Sequence, residues 1–69
     1  MVSLTEDLPE HGLQSGDVGA VVFVYDEGAA YEVEFVTFEG ETIAVVTVRA
    51  DQVRQVGPRE IAQTRMMAV

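Results

Sequence analysis

The run Val18-Gly-Ala-Val-Val-Phe-Val-Tyr25 constrains this chain more than any other feature. It is β-branched and aromatic, and turn residues bound it on both sides, Gly16-Asp17 before and Asp26-Glu27-Gly28 after. Such a run reads as a strand. Its near-continuous apolar character requires cover on both faces, or a curled strand shared between two sheets. Gly19 inside it marks a bulge or a close backbone approach. At 69 residues the chain has room for one domain. So short a chain buries only about 60% of its unfolded surface. With no cysteine, and His11 as the one histidine, neither disulfides nor a thiolate metal site supports it. An apolar core must carry the fold, and a hydrophobic content of 48% supplies one.

The remaining strands follow from alternation and turn residues. Residues 2–8 read as a short first strand with Val2, Leu4 and Leu8 inward, ended by Pro9, which lacks an amide donor. Glu10 to Asp17 is a loop with Gly12 and Gly16 at turn positions and Leu13 as its apolar anchor. Asp26 to Ala29 is a hairpin loop with Gly28 at positive φ. From Ala30 to Phe38 the pattern alternates cleanly: Tyr31, Val33 and Phe35 on one face, Glu32 and Glu34 with Val36 and Phe38 on the other. Glu39-Gly40-Glu41 is a tight turn. Thr42 to Arg49 is a third long strand, followed by a single helical turn at residues 50–52 and a closing strand from Val53 to Val56. This order predicts an all-β, five-stranded antiparallel SH3-like barrel over residues 1–57, with Val22, Val33, Phe35 and Val45 in its core. Closure explains how so much valine is hidden.

Residues 58–69 form a separate tail. Most are reasonable helix formers and Pro58 suits a first helical position. A helix would put Ile61 and Arg65 on one face, beside Ala62 and Met66. Two readings stand: a frayed terminus, or a segment that orders against another chain.

Charge is distributed unevenly. Residues 1–48 contain ten acidic and no basic side chains, a net charge of −10. Residues 49–69 contain Arg49, Arg54, Arg59 and Arg65 against Asp51 and Glu60, a net +2. Binding to phosphate backbones needs cations that displace counterions, and the body has none. No basic, apolar leader is present in the first residues, and no apolar run is long enough to span a bilayer. With the absence of cysteine, these features lead us to expect a cytoplasmic protein.

The segments Gly16 to Tyr25, Tyr31-Glu-Val-Glu-Phe35, Thr42 to Val48 and Val53-Arg-Gln-Val56 together resemble a short bacterial family known as a domain of unknown function, number 4926. Leu8-Pro-Glu-His-Gly-Leu13 fits it too, and the resemblance covers about residues 4–56. It implies an SH3-like barrel and brings no established activity. More remotely, Gly16-Asp-Val-Gly-Ala-Val-Val22 is similar to the turn and strand of KOW elements and of the photosystem I E subunit. Those modules carry basic docking residues that are missing from this body.

The residues offer no catalytic set. His11 has no second histidine or cysteine to work with, and reads as a loop residue. The pairs Glu6-Asp7, Asp26-Glu27 and Glu39/Glu41 lack the spacing of a calcium loop and fit solubilising turns. Ser3 and Ser15 lie outside any Gly-x-Ser-x-Gly setting. We therefore expect no enzyme, no cofactor and no metal.

What remains is contact surface. Glu32 and Glu34 with Val36 and Phe38 form either an ordinary solvated face or a patch whose apolar groups supply area while its glutamates select a basic partner. Tyr31 fits the core edge, and Tyr25 fits either a core edge or a binding ridge. The expected function is a non-enzymatic interaction or assembly module, an accessory or antidote-like subunit for a basic protein. The contacts would come from Tyr25, Glu32, Glu34, Val36, Phe38, Ile61, Arg65 and Met66. A KOW-like nucleic-acid module using the arginines is the alternative. Apolar tail residues Ile61, Met66, Met67 and Val69 further suggest a homo-oligomer in which residues 58–69 pack against the next chain.

Overall fold

The computed structural model describes residues 1–67. Its strands are β1 (Val2–Leu4), β2 (Val18–Tyr25), β3 (Ala30–Val36), β4 (Thr42–Arg49) and β5 (Val53–Gln55). All neighbours are antiparallel, in the order β4-β3-β2-β1-β5. Three short 3₁₀ turns, Pro9–His11, Asp26–Gly28 and Ala50–Gln52, connect them. The apolar run of β2 is shared, one of the two arrangements its composition suggests, but Val21 to Val24 are exposed and not covered on both faces. Val18 and Gly19 pair with Ser3 and Val2 of β1, whereas Ala20 to Tyr25 pair along β3.

Gly19 sits at the junction, and the reason is steric. A Cβ there would lie 2.6 Å from Val33 Cγ1 and 2.9 Å from the Glu34 carbonyl oxygen. The backbone of β2 thus passes directly over β3 while the sheet turns on itself. The two halves face each other, and one core gathers Val2 and Leu4 of β1, Val33 and Phe35 of β3, Val46 and Val48 of β4, and Val53 of β5. This is an SH3-like barrel left open between its edge strands β4 and β5.

The long loop closes the barrel's end. Leu8 and Leu13 exchange backbone hydrogen bonds of 2.9 and 3.1 Å, and both side chains are buried in the core. Burying each contributes about 2 kcal/mol. Beyond β4, Gln52 is buried; its side-chain oxygen accepts from Arg49 N at 2.8 Å and its amide donates to Glu6 at 3.2 Å. No helix among the described residues is long and apolar enough to cross a membrane.

Three expectations need correction. Val22 is 53% exposed, because the β2–β3 ladder shifts register between Val21 and Phe23 and leaves Val22 as the extra residue. Val45 is 51% exposed; Val33 pairs with Val46, which turns Ala44, Val46 and Val48 inward and Val45 outward. The helix suggested for the tail is not formed over residues 59–67. A turn at Gly57–Glu60 starts the tail instead, with the Glu60 carboxylate accepting from Gly57 N and ion-paired to Arg54 at 2.6 Å. Ala68 and Val69, part of the expected tail contact, lie outside the described residues.

Candidate functional site

Lateral pairing places Phe23 of β2, Glu32 of β3 and Thr47 of β4 in one row of the outer face, and Ala20, Glu34 and Val45 in the next. Alternation adds Tyr25, Val36 and Arg49 to the same face. Phe23 and Tyr25 meet edge to face, with ring centroids 4.8 Å apart. Phe23 is nonetheless 56% exposed, and Val36 and Val45 are similarly open. The two glutamates between them are held in place. Thr47 Oγ1 donates to Glu32, and Thr42 Oγ1 donates to Glu34 at 3.1 Å. The outcome is a mixed patch: apolar groups around two oriented carboxylates, on rigid strands.

Glu32, Glu34 and Val36 thus share one face, and Tyr25, open between core edge and ridge in the sequence, lies on it too. Phe38 does not join them. Strand β3 ends at Val36 because Thr37 starts a turn: its amide donates to Glu41 O, its carbonyl accepts from Gly40, and its hydroxyl accepts from Glu41 N. Phe38 is left 94% exposed at the hairpin tip. Tyr31 packs against the core. Phe23 was missed, although its position two residues before Tyr25 already puts both rings on one face.

The tail residues separate. Ile61 and Met66 are almost fully exposed. Arg65 instead reaches back to its own domain, where its guanidinium donates to Asp17 Oδ1 at 2.8 Å, Asp17 Oδ2 at 2.5 Å and the Gly12 carbonyl at 3.0 Å. Asp17 also accepts from Gln14 N at 2.9 Å. Between this tail and the β3–β4 hairpin tip lies a cleft of about 450 Å³, lined on the domain side by Leu13, Val18, Phe35 and Ile43.

Two of the other three arginines are engaged as well. Arg49 pairs with Asp51 at 3.0 Å and Arg54 with Glu60. His11 is exposed in the first 3₁₀ turn. Among the described residues, no three acidic or histidine side chains converge as a cation site requires.

The Arg65 hydrogen bonds hold the Asp17 carboxyl below its usual range, against partial burial, which pushes it up. Glu60 is held at about 2 by Arg54 and the Gly57 amide. Because the folded pKa of Asp17 is lowered, the pair's contribution to tail docking is complete above about pH 4 and disappears as pH falls through that lowered value. The Arg65 Nε–H resonance should therefore keep its docked shift at pH 4 and lose it only at lower pH. Loss already at pH 5.5 would contradict the assignment.

With this geometry in hand, the sequence profile of DUF4926, a domain of unknown function, matches residues 1–55. The chain belongs to the DUF4926 family. The match ends on the last residue of β5, so in this DUF4926 protein the barrel is the shared part and Arg65 lies beyond it. No curated protein matches the chain, and no solved structure does.

Proposed function

We propose that this DUF4926 barrel is a non-enzymatic interaction module that docks a basic protein on the outer face of β2, β3 and β4. One observation carries the reading: Glu32 and Glu34, oriented by threonine hydroxyls, stand among the half-exposed Phe23, Val36 and Val45. Apolar groups around fixed charges are the composition of an interface centre, where area gives affinity and charge gives selection. The charge of −10 on residues 1–48 adds attraction at longer range, steering a basic partner to this face. Nucleic acid fits less well, since Arg49, Arg54 and Arg65 are already paired within the chain. Its place of action in this reading is the cytoplasm, in keeping with a chain that contains no cysteine.

The test is a photo-crosslinking residue at Val45, used in producing cells to identify the partner, followed by titration of the purified pair. A basic protein should be captured, with affinity that falls as salt rises. The double variant Glu32→Lys/Glu34→Lys should weaken binding by about tenfold or more, while Glu39→Lys/Glu41→Lys at the hairpin tip changes it by less than about threefold. Capture of an acidic protein or a nucleic acid would sink the proposal, as would equal effects of the two charge reversals.

A further inference from the structure

Beyond the Glu60–Arg54 pair at its start, the tail of this protein holds the barrel through Arg65, and that contact has the form of a bound ligand. Residues 61–66 are exposed along their length, with Ile61 93% and Met66 92% open to solvent. The exception is the Arg65 side chain, 28% exposed against an Asp17 side chain of 18%. Its planar guanidinium meets both carboxylate oxygens and adds a main-chain carbonyl, the fork geometry that distinguishes arginine from lysine. On the receiving side, the Gln14 amide helps orient Asp17. The apolar cleft begins immediately beside this pair, and residues 62–67, in a non-helical path, form its other wall.

We propose that the cleft at Asp17 is a recognition site for an extended, arginine-bearing protein segment, and that the chain's own tail is its built-in competitor. Charge supports this choice of occupant. The domain side of the cleft also carries Glu39 and Glu41 and no base, which suits a cationic peptide. Length supports the competition: Gly57 and Arg65 are eight residues apart, and so short a tether gives an effective concentration on the order of millimolar. A free peptide then meets an Asp17 already paired with Arg65, and anything that releases Arg65 frees that carboxylate and the Gly12 carbonyl beside it. The site shares Val36 with the outer face of β2, β3 and β4 but none of Phe23, Glu32, Glu34 and Val45, so either can fail without the other.

The experiment uses the full chain and a fluorescein-labelled peptide with the sequence of residues 58–69. Fluorescence anisotropy compares binding to wild type and to Arg65→Gln, with far-UV circular dichroism showing that both are folded. The peptide should bind Arg65→Gln about tenfold or more tighter than wild type. Replacing the peptide's own second arginine with glutamine should abolish that binding, and this control requires no change in the protein. Adding Asp17→Asn to Arg65→Gln should abolish it as well. Equal affinity for wild type and Arg65→Gln would overturn the competition. Undiminished binding of the glutamine peptide would overturn arginine recognition. Light scattering provides a third check: wild type at about 0.1 mM forming a dimer that Arg65→Gln converts to monomer would show that the tail joins copies rather than guarding its own cleft.

Discussion

Replacing Val33 with Asp is expected to abolish the cooperative unfolding transition of this protein altogether. Val33 is completely buried at the centre of β3, paired with Val21 on one side and Val46 on the other. Placing a carboxylate there without a partner costs several kcal/mol, whether it stays ionised or takes up a proton. A chain of 69 residues has about 3–10 kcal/mol of stability to lose. Val45→Asp is the informative contrast. Val45 lies one residue away from Val46 but on the outer face, opposite Glu34. Its replacement should cost about 1 kcal/mol, largely like-charge repulsion across the strand pair. Thermal unfolding followed by circular dichroism distinguishes the two, and similar losses at both positions would mean that the β3–β4 register is wrong.

That contrast also shows where the sequence stops being readable. Strand β3 alternates acid with hydrophobe, so its inner face is legible at once. Strand β4 does not: Ile43 and Val45 on one side and Val46 and Val48 on the other are equally apolar, and only the register with β3 decides between them. Strand β2 is harder still. An unbroken apolar run contains no alternation, and the extra residue at Val22 reverses the parity halfway along it. The ends of β2 and β4 were nevertheless predictable to the residue, because turn chemistry marks them independently of which face is buried. The acidic half of the outer face follows from β3 alone, whereas its aromatic half needs the pairing of Phe23 with Glu32. The cleft was beyond reach for a different reason. Asp17 and Arg65 are 48 positions apart, and each alone resembles an ordinary turn acid or tail cation.

Gly19→Val should be nearly as damaging as Val33→Asp, and Gly19→Ala decides why. By strand propensity alone both changes ought to help, since glycine in a strand is worse than alanine by about 0.5–1 kcal/mol and valine is favoured further. Packing predicts the opposite sign. An alanine methyl would sit 2.6 Å from Val33 Cγ1, 2.9 Å from Phe35 Cε1 and 2.9 Å from the Glu34 carbonyl oxygen. Val33 and Phe35 are core side chains with little room to withdraw, and the carbonyl belongs to the β3 backbone itself. Overpacking of this kind costs about 1–3 kcal/mol, outweighing the propensity gain, and the two extra methyls of valine push β2 further off β3. Urea denaturation should therefore show Gly19→Ala losing about 1–2 kcal/mol and Gly19→Val losing its folded baseline. If Gly19→Ala instead matched or exceeded wild type, β2 and β3 would not approach as closely as the core requires. The reason for a glycine in the most apolar strand of the chain would then lie outside packing.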